Sequence, residues 1–179
     1  MEGDDQSITD DAIPTAFIDK LKTLPRDTLV RRIRPDGNCF YRAYAFGILE
    51  ALRLHGQQDL PGTGTSFVNW FRELVAKDAL ERCEKAGYPR FTVEDFMEAF
   101  LEEMDKFGDN SGDKEVDAGN DAYIVSFLRC LASSVLKLHA SEYSPFLETG
   151  YATIDQYTAT EVDPMYKEAD QLPIVSLSR

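Results

Sequence analysis

Residues 39–52, CFYRAYAFGILEAL, are apolar on nearly every side, interrupted only at Arg42, Gly47 and Glu50. A helix that is apolar all round belongs inside a core, so this one demands neighbours on several faces. DAYIVSFLRCLASSVLKLH, residues 121–139, is a second segment of the same kind, with Asp121 in its first turn and Lys137 and His139 in its last, as the helix dipole prefers. The chain must therefore fold around two buried helices. Its 179 residues suffice for one domain, or one domain plus a short appendage.

The remaining pattern supplies candidate packing partners. Ile13, Phe17, Ile18, Leu21 and Leu24 fall at helical spacing behind Pro14, so residues 12–24 read as a short amphipathic helix. TLVRRI, 28–33, reads as a short extended piece. Ser66 can cap a helix whose Phe67, Trp70, Phe71, Leu74, Val75 and Leu80 share a face and which stops at Gly87. Thr92 and Asp95 resemble a capping box ahead of Phe96, Met97, Phe100, Leu101 and Met104. Residues 108–120 read as an exposed loop, a shorter helix is expected around Ile154–Val162, and Asp170 can cap a last helix that Pro173 enters near its first turn. The acidic stretch 1–11 reads as a disordered leader, leaving 12–179 as the domain. Few period-2 runs occur, so a full sheet is not expected, and the apolar segment ending at Arg179 reads as cut rather than capped.

Charge and cysteine usage narrow the function classes. Nineteen basic and thirty-two acidic side chains give a net charge of −13, which repels phosphate backbones and argues against nucleic acid as a partner. The longest apolar run falls short of the roughly 20 residues needed to span a bilayer, so no membrane partner is expected. Cys39, Cys83 and Cys130 make an odd count without a CxxC pair, which disfavours disulfide and zinc frameworks and points to a reducing, cytoplasmic or nuclear setting. Cys83 and Cys130 lie on apolar helix faces and read as structural. No metal or organic cofactor is implied.

Cys39 is different because of what precedes it. Pro35-Asp36-Gly37 is a turn, Gly37 permits a positive φ, and Asn38 can cap the helix that follows. A thiolate is stabilised at the amino end of a helix, and backbone N–H groups near Asp36–Cys39 can converge into an oxyanion site. Free cysteines are also commonly just buried, so the local pattern leaves two readings open, a core thiol or a nucleophile.

DGNCFYR, residues 36–42, with the apolar helix behind it, resembles the active-site signature of the ovarian-tumour (OTU) cysteine proteases, and RPDGNCFYRA is most similar to their otubain branch. The likeness continues in FTVEDFMEAF (91–100), DAYIVSFLRCLAS (121–133) and EVDPMYKEAD (161–170) and covers roughly Arg31 to Leu177. It implies an α+β, papain-like OTU fold, of which this chain would supply mainly the helical portion with most of the central sheet missing. It also implies a thiol isopeptidase that cleaves ubiquitin from proteins or from polyubiquitin through a thioester, with ubiquitin-conjugating enzymes as further partners. By position, Cys39 would be the nucleophile, Asp36 the active-site aspartate, and Gly37 and Asn38 the oxyanion loop. The resemblance places the family's catalytic histidine beyond the point matching Arg179, so a truncated form is expected. The two histidines of this chain, His55 and His139, do not match it. His55 lies sixteen residues along the Cys39 helix, about 24 Å away at 1.5 Å per residue.

Overall fold

A computed structural model describes residues 19–20, 22–25, 31–55, 58–108 and 116–179. The chain divides into two compact units, 1–32 and 33–179. In the first, Asp19, Lys20 and Lys22 are helical and Lys22 Nζ pairs with Asp19 at 2.9 Å. Most of the expected helix over 12–24, residues 28–30 of the extended piece expected over 28–33, and the leader 1–11 lie outside the described residues, and residues 31–33 are not in a strand.

The second unit is helical. In chain order it contains α1 (Cys39–His55), α2 (Phe67–Leu74), a π-helical turn (Val75–Ala79), α3 (Leu80–Lys85), α4 (Arg90–Gly108), α5 (Asp121–Leu138), α6 (Ala140–Tyr143), α7 (Ile154–Tyr157) with a second π-helical turn (Thr158–Val162), and α8 (Gln171–Leu177). Among the described residues the only β pairing is an isolated antiparallel bridge between Asp59 and Ser66, and the unit has the helical character expected.

Helix α5 is the hub. It packs on α1, α3, α4 and α8, and Ile124, Val125, Phe127, Leu128, Arg129 and Ala132 to Leu136 are all buried. The expectation of a core helix holds here because neighbours surround it. It holds less well for α1, where only Tyr41, Ala45, Leu49 and Leu52 are buried. Packing by α4 and α5 covers that stripe, while Phe40, Tyr44, Phe46 and Ile48 are half-buried and Leu54 is 62% exposed. The α4–α5 seam places Val93, Met97, Phe100 and Met104 with Ile124, Phe127 and Leu128 in the core, each large side chain contributing about 1.5–3 kcal/mol by burial.

Several boundaries differ from those the pattern suggests. Val75 and Leu80 are both buried although five residues apart, which in an α-helix would set them about 140° from each other. The wider π turn between them narrows that angle. Ser66 occupies the N-cap position of α2 but makes no side-chain cap bond. Helix α4 starts at Arg90, with the Pro89 carbonyl accepting from Thr92 N and Val93 N, so Thr92 lies inside the first turn and is not a cap. Asp170 does cap α8, accepting from Leu172 N at 3.0 Å. Past α8, Ser178 Oγ donates to the Val175 carbonyl at 2.7 Å, and Arg179 pairs with Glu142 at 2.6 Å. Most of the loop expected over 108–120 lies outside the described residues. Among those residues no single helix is long and apolar enough to cross a membrane.

Candidate active site

The stretch before α1 is built as the sequence suggests, with one change of donor. Gly37 has φ +78°, the left-handed conformation that only glycine adopts at little cost. The Asn38 carbonyl accepts from Arg42 N at 3.1 Å and so opens α1. Cys39 is then the first helical residue, half-buried, its sulfur unpaired with another cysteine. The N–H groups of Cys39, Phe40 and Tyr41 have no acceptor inside the helix and are the natural donors for a developing oxyanion. The Asn38 N–H is not among them, because it donates to Asp36 Oδ1 at 3.0 Å. The Asn38 amide is therefore engaged within the turn and does not point into the cluster expected over Asp36–Cys39.

Asp36 is held from two sides. Besides the Asn38 amide, Arg42 Nη1 bonds Oδ1 and Arg42 Nη2 bonds Oδ2 at 2.7 Å, a fork-on-fork pair. The Arg42 guanidinium holds this carboxyl well below its usual range, at about 2. Asp121, at the start of α5, completes the arrangement: it accepts from Arg42 Nε at 2.8 Å and from Arg34 Nη2 at 2.6 Å. Asp121 thus does more than complement a helix dipole; it ties the turn to the central helix.

Asn38 is fully buried, and its side chain faces inward rather than capping α1. Asn38 Oδ1 accepts from Arg129 Nη2 at 2.7 Å and from Tyr166 N at 3.0 Å, which fixes the orientation of the amide. Arg129, 1% exposed on α5, also donates through Nη2 to the carbonyls of Gly37 (3.1 Å) and Lys167 (2.7 Å), and through Nη1 to that of Val162 (2.8 Å). Its guanidinium carbon sits 4.2 Å from the centre of the Tyr41 ring. Tyr166 has a positive φ of 67°, uncommon for a residue with a Cβ, and its backbone lies directly against Gly37.

Asp36, Gly37, Asn38 and Cys39 therefore share one braced turn. The histidines do not join it. His55 ends α1, seventeen residues long from Cys39, with Nδ1 3.2 Å from Gln58 Nε2. His139 follows the last turn of α5, ten residues and about 15 Å along from Arg129, with Nδ1 3.1 Å from Glu142 Oε1. Cys83 is buried and Cys130 half-buried; burial raises both thiols, Cys130 to about 12, which keeps them protonated and unreactive. Among the described residues no three His, Cys, Asp or Glu side chains gather so as to hold a metal ion.

Arg42, Asp121, Arg129 and Tyr166 were not singled out by pattern as parts of this site. Arg129 did leave a signal: it falls on the buried stripe of α5 four residues after Val125 and three before Ala132, and a charge on such a stripe needs buried partners. Nothing in the sequence marks the left-handed backbone of Tyr166.

A half-buried thiol at a helix N-terminus, behind a glycine turn fixed by side chains from distant segments, is the form in which thiol hydrolases carry their nucleophile. The comparisons with known proteins narrow that class. A family model described as peptidase C65 otubain matches residues 7–179, and the chain belongs to that family. An otubain-like ubiquitin thioesterase of Caenorhabditis briggsae is 36% identical over 180 residues, 97% of this chain and 59% of that protein. The human ubiquitin thioesterase OTUB1 is 32% identical over 166 residues, 89% of this chain and 57% of that protein. Among solved structures, a complex of ceOTUB1 with ubiquitin aldehyde and UBC13~Ub matches at 33% identity and a TM-score of 0.68, over 82% of this chain and 57% of that one. The chain thus spans somewhat over half the length of the relatives it matches.

Proposed function

We propose that this protein is a cysteine-type deubiquitinating isopeptidase acting on ubiquitin conjugates and polyubiquitin in the cytoplasm or nucleus. The thiolate of Cys39 attacks the carbonyl that joins the C-terminus of ubiquitin to a lysine amine. The tetrahedral oxyanion is met by the N–H groups of the first turn of α1, the C–N bond breaks as the amine takes up the proton the Cys39 thiol gave up, and water then hydrolyses the thioester, returning the thiol and a free ubiquitin carboxylate. Gly37 and Asn38 shape the loop behind the nucleophile. Asp36, the site's aspartate, acts on that loop through Arg42 and the Asn38 amide. The observation that carries this reading is the braced Asp36–Cys39 turn, which presents one cysteine at a helix N-terminus while the other two thiols are buried or half-buried and held protonated.

A second reading has its own support. Acyl transfer needs a base within about 2.6–3.2 Å of the nucleophile, and the contacts of His55 and His139 place both elsewhere. On that reading the protein binds ubiquitin or a ubiquitin-conjugating enzyme without turnover. The similar solved structures, complexes with ubiquitin aldehyde and with UBC13~Ub or UBCH5B~Ub, are compatible with either. Intact-mass detection of an adduct with ubiquitin bearing a thiol-reactive C-terminal electrophile separates the two. Labelling that disappears in Cys39→Ala is expected for the enzyme; binding without labelling supports the second reading.

A further inference from the structure

Arg129 is a buried guanidinium whose hydrogen-bond acceptors are three backbone carbonyls and one side-chain amide, none of them a carboxylate. Such a group is costly to bury unless its donors are met; Nη1 and Nη2 together meet all four oxygens, three of them through Nη2, while the buried Nε has no partner. Two of those oxygens, Gly37 O and Asn38 Oδ1, belong to the two residues directly before Cys39. The other two, Val162 O and Lys167 O, bracket the segment whose Tyr166 N–H bonds the same Asn38 oxygen. Holding the Gly37 carbonyl fixes the plane of the Gly37–Asn38 peptide. With Asn38 Oδ1 pinned as well, little freedom remains in the backbone leading into the first turn of α1, where the oxyanion donors lie.

Resting on the proposed thiol chemistry of Cys39, we infer that Arg129 is the positioning residue that sets the oxyanion-binding geometry of the turn. It acts on the adduct formed at Cys39 and leaves the binding of ubiquitin itself alone. Its two ends join what three separate chain segments must do together: the turn before the nucleophile, the central helix and the 162–167 strap.

Ubiquitin aldehyde reads this directly. Its carbonyl carbon bonds to Sγ of Cys39, the thiol proton ends on the carbonyl oxygen, and that oxygen lies in the oxyanion site as a thiohemiacetal, with no leaving group involved. The measured quantity is the ratio of the Kd for ubiquitin to that for ubiquitin aldehyde, in the full chain and in Arg129→Lys and Arg129→Gln. Melting curves confirm that each variant is folded. The ratio is expected to fall at least tenfold in Arg129→Gln, and less in Arg129→Lys, with the Kd for ubiquitin unchanged, since one well-placed oxyanion donor is worth on the order of 10²–10³. Asn38→Ala provides a second approach, removing one of the oxygens that Arg129 holds, and is expected to lower the ratio too. A ratio in both the Arg129→Gln and Asn38→Ala variants equal to that of the parent overturns the inference. A parent that binds the aldehyde no more tightly than ubiquitin overturns the thiol chemistry beneath it instead.

Discussion

Replacing Gly37 with alanine tests how closely the turn is packed, and Gly62 supplies the control. The two glycines share a backbone conformation, φ +78° and +77°, so the left-handed penalty of roughly 1–2 kcal/mol applies equally to both. They differ in surroundings. A Cβ at Gly62 meets nothing within 4 Å, whereas one at Gly37 falls 2.2 Å from the Tyr166 carbonyl oxygen and 2.4 Å from its carbon. Reaching even a 3.0 Å contact requires a shift of 3.0 − 2.2 = 0.8 Å in that backbone. The backbone there is anchored by Tyr166 N on Asn38 Oδ1 and by Arg129 on the Lys167 carbonyl, so the shift strains at least one of them. Overpacking of this kind costs about 1–3 kcal/mol, and weakening a bond from a charged donor about 1.5–3 kcal/mol. Gly37→Ala is thus expected to lose at least about 2 kcal/mol more than Gly62→Ala, a gap of about 4–8 °C in Tm for a chain of this size. Thermal and urea unfolding followed by circular dichroism measure it. Equal losses in the two variants would refute the packing argument.

Asp36 gives a pH dependence with a defined sign. Its carboxyl titrates at about 2 in the folded protein against an ordinary value of 3.8, so between those values the unfolded chain binds more protons and stability rises with pH. The contribution is full above about pH 5 and is lost as the pH falls through about 2. Asp36→Asn is expected to be the less stable protein above about pH 5 in urea unfolding, with the difference closing as the pH falls through about 2; a constant difference contradicts the Arg42 pairing. His55→Ala and His139→Ala are expected to leave the rate of Cys39 labelling within about twofold of the parent, because a true general base contributes on the order of 10²–10⁴. A loss beyond tenfold in either would place that histidine in the site.

Helices were legible where one face of the pattern was matched by an equal set of neighbours. Residues 121–139 read as a core helix and are one, because four other helices surround Asp121–Leu138. The same reasoning overstated α1, since apolarity all round says what a helix needs and not what covers it; Leu54 is left exposed. The Asp170 cap was legible because its chemistry is local, a carboxylate reaching the amide two residues on. The capping box at Thr92 failed for a local reason as well: α4 already begins at Arg90, with the Pro89 carbonyl accepting from Thr92 N and Val93 N, so Thr92 lies within the first turn and not ahead of it. The motif marked the turn ahead of Cys39, which the structure folds as one unit, while its braces were hidden. Arg42 reads as a gap in an apolar run, and its partner Asp121 lies 79 residues away. Pairings of that length depend on how helices stack, which no local spacing records.

The bonds from Arg129 also order events in time. They join it to Gly37, 92 residues earlier, and to Lys167, 38 residues later. The turn before Cys39 therefore cannot take its braced form until the strap ending at Lys167 has been synthesised and docked. Cys39 leaves the ribosome 167 − 39 = 128 residues ahead of that point, about 6–26 s at 5–20 residues per second. During that interval the nascent chain carries the Cys39 thiol without the braces around it, so the turn is completed only by residues made well after the cysteine it precedes.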